Sequence, residues 1–285
     1  MQVTQTTVKS ILTRTGGFLK GVVSHSLQPY RGCSFGNSLC GVGCYVQHNR
    51  YVTEGRPWGS FLEVRTNAAE VYRLQFARER KWAKTRGGGF GIFLSSSTDP
   101  FVPQESQFGI TRALLESMCD LPPDRLILQT HTHAAVNAID IVVELSRRCD
   151  LRLHLSIETD RARLEGLPPP ASPVDRRFET AKQFRSLGIR TVITVAPLLP
   201  LDNPMRFFER VRECADAVVI DHFIGGDGTA TGSRTQKTPL PILMNQIHEG
   251  SATLDYRDEV VRVAAQVMPG RVGVGSAGFA GEYAY

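Results

Sequence analysis

No run of eighteen apolar residues occurs in the 285-residue chain, which excludes an apolar transmembrane helix, so no membrane partner is expected. The opening segment MQVTQTTVKSILTRTGG lacks the apolar core of a secretory signal, and the cytoplasm is the expected location. Low-complexity tracts and long Pro/Ser linkers are also missing, and the length fits one large α/β domain or two small ones. Cysteine is scarce. Six in 285 residues are too few for a disulfide scaffold, and in a reducing compartment any local cluster points to metal binding or catalysis. Neither sign of charge dominates, with 33 Lys+Arg against 28 Asp+Glu and a net charge of +5. The arginines are dispersed (Arg73, Arg78, Arg80, Arg86, then Arg161, Arg163, Arg176, Arg177) and form no basic tail. A nucleic acid partner is compatible with that balance but weakly supported, and a solvated surface explains it as well. With 41% hydrophobic and 21% charged residues, the chain can bury a sizeable core.

What is present is an alternation. FGIFLSSST (90–98), RLILQTHTH (125–133), LRLHLSIETD (151–160), IRTVITVAP (189–197) and AVVIDHF (217–223) read as strands. Helical periods lie between them at 110–119, 134–149, 175–188 and 203–214, and a further helix and short strand are expected at 256–268 and 271–275. The first strand is expected within 21–30 and the helix following it at 67–82. About six βα units imply a parallel sheet, either a partial barrel or an open twisted sheet. Functional groups should then collect at the carboxyl ends of the strands. Those ends carry Tyr30 to Cys44, Ser95 to Asp99, His131 and His133, Glu158 to Asp160, Pro197, and His222.

The densest feature is QPYRGCSFGNSLCGVGCYVQHN (28–49), where Cys33, Cys40 and Cys44 stand within twelve positions among Gly32, Gly36, Gly41 and Gly43. Two metals compete for these thiols. With His48 as a fourth ligand the spacing suits structural zinc, and a zinc-stabilised nucleic-acid-binding protein is one reading. Three thiolates alone suit a [4Fe–4S] cluster with one iron left open for a ligand. Spacing by itself leaves the two level.

A three-cysteine loop after the first strand of a six-unit βα array resembles the layout of the radical S-adenosylmethionine (SAM) enzymes. PYRGC (29–33), CYVQ (44–47), STDPFVPQE (97–105) with TRALLE (111–116), LQTHTH (128–133), LSIETD (155–160), PASPVDRRFETAKQFRSLGI (170–189) and APLLP (196–200) resemble, in order, the spore photoproduct lyase branch of that superfamily. They are most similar to its uncharacterised relatives. The resemblance spans residues 8 to 223. It implies a partial (β/α)6 parallel barrel, a single domain over 1–285 with its core at 21–223 and an extension at 224–285, and an enzyme. It also implies a [4Fe–4S] cluster on Cys33, Cys40 and Cys44, SAM as cosubstrate, and an electron donor such as flavodoxin or ferredoxin. The expected reaction is reductive cleavage of SAM followed by hydrogen abstraction from an unknown substrate. By position, Thr98, His131 and Ser156 match residues that approach SAM, and Tyr45 matches a tyrosine near the radical path.

Three departures stand out. The cysteine spacing is C-x6-C-x3-C where the branch uses C-x3-C-x2-C. Ser96 stands where the lyase carries its hydrogen-donating cysteine, and an alcohol O–H donates hydrogen atoms far less readily than a thiol, so lyase-type DNA repair is disfavoured. His131 replaces a lysine, which makes its charge conditional near neutral pH.

Plainer readings stand beside these. Ser95 to Thr98 could satisfy local backbone, and Asp99-Pro100 could start a turn. His131 and His133 alternate, so at most one faces the mouth. Glu158 and Asp160 could bond ribose hydroxyls, or Asp160 could cap a helix. Cys119, Cys149 and Cys214 read as structural thiols, IGGDGTATGS (224–233) as a flexible loop, and SAGFAGEYAY is without a readable role.

Overall fold

A computed structural model describes residues 1–285. Its strands are β1 (Gln2–Thr6), β2 (Leu12–Arg14), β3 (His25–Leu27), β4 (Tyr30–Gly32), β5 (Phe61–Arg65), β6 (Gly91–Leu94), β7 (Arg125–Thr130), β8 (Asp150–Ser156), β9 (Arg190–Val195), β10 (Ala217–Ile220) and β11 (Val272–Val274). The principal helices are α1 (Ala68–Thr85), α2 (Ile110–Asp120), α3 (Ile139–Ser146), α4 (Val174–Ser186), α5 (Pro204–Cys214), α6 (Leu240–Ile247), α7 (Leu254–Val267) and α8 (Gly275–Ala280). Eight strands form one sheet in the order β11-β10-β9-β8-β7-β6-β3-β2, while β1-β5-β4 make a separate three-stranded sheet. From β3 to β11 every neighbour is parallel, and only β2 at the edge is antiparallel. The six expected βα strands thus stand side by side in chain order as an open, partial (β/α)6 barrel.

The strand sequences explain why both faces are covered. Along β6 and β7, Ile92, Leu94, Leu126 and Leu128 face outward into a cluster that also contains Val71 of α1, Leu114 of α2 and Val142 of α3. Ile193, Val195, Val218 and Ile220 do the same against Phe178, Phe207 and Val260 of the later helices. The intervening Phe93, Ile127, Val192 and Val219 point inward and pack with Phe279 of α8. Period-two alternation of apolar residues on both faces is what a strand buried on both sides requires. Each such side chain, fully buried, contributes about 1.5–3 kcal/mol.

Above this apolar floor the interior turns polar. Gln129 Nε2 donates to Ser156 Oγ at 2.7 Å and to Thr194 Oγ1 at 3.1 Å, and the two hydroxyls meet at 2.9 Å.

Several boundaries differ from the sequence expectation. The strand read over 125–133 ends at Thr130, because the Thr132 hydroxyl accepts from the Ala134 N–H and starts a 3-10 turn at His133–Ala138. The helix read over 134–149 is therefore split into that turn and α3. Residues 224–285 contribute β11, α6, α7 and α8, so they complete the sheet edge and the barrel interior. The glycine-rich 227–235 loop is tied together by one carboxylate: Asp227 Oδ1 accepts from Thr229 N (2.9 Å) and Oγ1 (2.6 Å), and Oδ2 from Arg234 N and Thr235 N (2.9 Å each).

Candidate functional site

At the carboxyl ends of the parallel strands lies a cavity of about 480 Å³, with Cys33, Cys40 and Cys44 on its wall. The cysteine loop is packed too closely for larger residues. A Cβ on Gly41 would lie 2.2 Å from the Gly36 carbonyl oxygen, and one on Gly36 2.3 Å from the Gly59 Cα. Motif residues outside the loop clamp it in place. Glu105 accepts the Thr111 and Arg112 N–H groups at 3.0 Å each and the Tyr30 hydroxyl, while Ser34 Oγ donates to Gln104 Oε1 at 2.6 Å. The PQE…TR pattern thus fixes both the start of α2 and the residues flanking Cys33.

All three thiols are free. Burial pushes Cys33 and Cys44 up to about 12 and Cys40 higher still. Each is raised further by a neighbouring thiol: Cys33 by Cys44, Cys40 by Cys33, Cys44 by Cys40. No cation lies among their partners. Backbone N–H groups of Phe35 and Asp99 turn toward Cys33, and those of Val46 and Gln47 toward Cys44, which favours negative charge on sulfur. Such a set binds as thiolates only where a positively charged group enters the cavity.

No group of three His, Cys, Asp or Glu side chains stands ready to hold a metal ion. His48 lies off the cavity wall, and its buried Nε2 has no partner. An iron–sulfur cubane takes its cysteines on different irons, and three free thiols on one cavity are donors of the type it needs.

The remaining candidates divide. Thr98 lies on the wall, and its buried Oγ1 has no hydrogen-bond partner. Ser95, held at φ 78° in the left-handed region, also presents an unpartnered hydroxyl there. Tyr45 lies on the wall and donates to the Ser96 carbonyl at 2.9 Å, while Ser96 Oγ accepts from Gln28 Nε2 at 2.8 Å. Asp99 borders the cavity with its carboxylate engaged: Oδ1 accepts from Phe101 N, both oxygens from Thr130 Oγ1, and Oδ2 from His131 N at 2.6 Å.

His131 reaches the wall, and its Nδ1 meets Glu158 Oε1 at 2.7 Å. The other Glu158 oxygen accepts from Arg177 Nη1 at 2.7 Å. Burial pushes Glu158 up, but the Arg177 charge and the His131 ring outweigh it and hold the carboxyl well below its usual range. For His131, burial lowers the proton affinity, yet the bond to and charge of Glu158 raise it above 6.5. Glu158 and Ser156 lie behind the wall, in contact with His131 and Gln129 respectively.

His133 turns away to Ser172 Oγ at 2.7 Å, and Asp160 accepts the Asp202 and Asn203 N–H groups at 2.8 and 2.9 Å. His222 accepts from Ile224 N at 3.1 Å, with its pKa lowered to about 4 by burial.

Four wall or near-wall residues escaped the sequence reading. Gln28 orders the 96–98 loop through Oε1, which accepts from Ser97 N and Thr98 N at 3.3 and 3.4 Å. Gln129 lines the cavity with a free Oε1. Asp221, pushed up to about 7 by burial, and Arg234 complete the set. Asp221 is the first polar residue after AVVI, one position before the His222 at which the strand-end rule points.

No family model matches the chain. The uncharacterized protein ORF301 of Acidianus two-tailed virus is 25% identical over 186 residues, covering 62% of this chain and 56% of that protein. The chain therefore spans little more than half the length of the curated relative it matches. Among solved structures, a spore photoproduct lyase variant with bound AdoMet (SAM) and dinucleoside spore photoproduct superposes with a TM-score of 0.61 at 14% identity, over 96% of this chain and 81% of that one. A second lyase variant with the dinucleoside spore photoproduct gives 0.62 at 14% identity, over 96% and 80%. The chain has the fold of spore photoproduct lyase. On that fold the present chain carries three cysteines at the mouth of the barrel. No helix of the chain is long and apolar enough to cross a membrane.

Proposed function

We propose that the chain is a radical SAM enzyme whose Cys33, Cys40 and Cys44 hold a [4Fe–4S] cluster. The observation that carries this reading is the set of three free, mutually perturbing thiols on one cavity at the carboxyl end of a partial parallel barrel. When bound, the cluster and SAM supply reductive cleavage and a carbon radical able to abstract hydrogen. The protein's own groups position and enclose. Thr98 Oγ1 and Gln129 Oε1 offer unfilled hydrogen-bonding positions on the wall, and His131, whose proton affinity Glu158 raises against burial, offers a ring N–H to a carboxylate. Tyr45 closes the cavity against the 95–99 loop through the Ser96 carbonyl. Repair of spore photoproduct does not belong to the proposal, because Ser96 offers an O–H in place of a readily donated S–H. An external one-electron donor is required, and a flavodoxin or ferredoxin fits that need.

Anaerobically purified protein should be brown and hold about four irons per chain. With SAM and dithionite it should release 5′-deoxyadenosine, and Cys40→Ala should abolish that release. Colourless protein with one zinc would overturn the proposal. Reversal of ultraviolet damage in DNA by the reduced protein would overturn the exclusion of repair.

A further inference from the structure

The loop between β10 and α6, ordered by the Asp227 carboxylate, carries one guanidinium to the cavity. Arg234 lies on the cavity wall, with a single side-chain hydrogen bond, from Nη1 to the Asp227 carbonyl at 3.1 Å, and no carboxylate partner. The Asp227 carboxylate is fully used by four hydrogen bonds inside the loop, including one from the Arg234 backbone N–H, so it orders the backbone and leaves the guanidinium charge uncompensated. Gly228, at φ 80°, clears the space beside it, since a Cβ there would lie 2.8 Å from Nη1. Asp221 faces the same cavity without pairing to Arg234. Its carboxyl is packed against Gly226, where a Cβ would lie 2.4 Å from Oδ2. Burial also favours the neutral form of Asp221.

A half-buried arginine with four free N–H donors, carried by a dedicated loop, is a ready partner for a planar or tetrahedral oxyanion. His131, which also reaches this wall, is already engaged by Glu158 through Nδ1. We infer that Arg234 anchors an anionic oxygen group of the substrate, a phosphate ester or a carboxylate, at the side of the cavity formed by the 227–235 loop. The inference rests on the radical SAM reading for what the cavity processes, though not for the anion site itself.

The test uses cluster-loaded protein saturated with SAM, so that the His131 side is filled. Inorganic phosphate and, separately, acetate are titrated in while the Arg234 Nε–H resonance and the heat of binding are followed. Saturable movement of the Arg234 signal is expected, with an affinity at least about tenfold weaker in Arg234→Gln. Arg234→Lys should fall between the two, keeping the charge and losing the fork. Gly228→Ala, which crowds Nη1 and leaves the charge in place, should also weaken binding. A preference for phosphate over acetate identifies a phosphate ester as the group, and the reverse a carboxylate. Equal affinity in wild type and Arg234→Gln, or binding that leaves the Arg234 signal unmoved, overturns the inference. If the chain takes up neither cluster nor SAM, the same titration on the purified protein still reads the anion site, and only the radical SAM reading falls.

Discussion

The rings of Phe18 and Phe279 meet edge to face with their centroids 5.6 Å apart. Phe18 sits in the 3-10 turn Gly17–Gly21 after β2, and Phe279 in α8 after β11, so the pair joins elements from the two opposite edges of the main sheet. The strands never close into a barrel; this aromatic contact covers the open side, and both rings line the cavity.

Removing the larger part of that cover should be costly. Phe279 is 6% exposed, and Phe279→Ala is expected to lower unfolding free energy by about 3–5 kcal/mol in urea titrations. The same variant should lose cluster colour in air faster than wild type. Unchanged bleaching would mean that the seal lies elsewhere.

Ser95 adopts φ 78° with an unpartnered buried hydroxyl, a conformation that costs a non-glycine residue about 1–3 kcal/mol. Ser95→Gly should therefore stabilise the fold, by about 1 kcal/mol, while weakening SAM or substrate affinity through loss of the hydroxyl. A destabilised variant would show that the hydroxyl is satisfied in solution.

Much of this architecture was legible in the sequence. Runs such as RLILQT and AVVI hold consecutive apolar residues because both their faces are buried, and the polar Gln129-Thr130 that closes the first and Asp221 that follows the second mark the mouth. The motif flanks were legible as a set. Their roles were not, because Glu105 clamps Tyr30 from 75 positions away. The small sheet was missed because β1 is almost wholly exposed and polar, leaving no period to read. The 224–233 stretch read as flexible because glycines dominate it, whereas its order comes from the single Asp227 carboxylate. SAGFAGEYAY carries one informative side chain, Phe279, too little for any pattern.

The His131–Glu158 pair should be visible by titration. With the folded pKa of His131 raised above 6.5, its contribution to stability is complete below pH 6.5 and lost as pH rises through the raised value. The depressed Glu158 works in the opposite sense, with stability present above about pH 4.5 and lost as pH falls through its low folded value. Glu158→Gln should move the imidazole transition, followed by ¹H–¹⁵N spectra, downward, because burial and Arg177 are then opposed only by the Asp99 charge. An unmoved transition would break the assignment.

Asp221 carries the reverse linkage. Its folded pKa of about 7 stands above the ordinary 3.8, so ionisation of the unfolded chain draws stability away as pH rises from about 4 to 7. Asp221→Asn should therefore raise the thermal midpoint more at pH 8 than at pH 5. An equal gain at both would mean that the carboxyl is ionised in the fold.

In cluster-free protein the three mouth thiols should resist alkylation. A thiol pushed up to about 12 holds only about one part in ten thousand as thiolate at pH 8, against roughly a quarter for an ordinary cysteine. Iodoacetamide labelling at pH 8, mapped by mass spectrometry, should leave Cys33 and Cys44 behind thiols of the denatured chain. Rapid labelling would mean that the mouth opens freely.

The contact between Phe18 and Phe279 also orders events during synthesis. The cysteines and every strand from β2 to β10 are made before Phe279, so on the ribosome the growing sheet keeps one flank exposed to solvent. The interior becomes sealed only once α8 has emerged. Whatever the three thiols hold would be sheltered only after translation has passed residue 279.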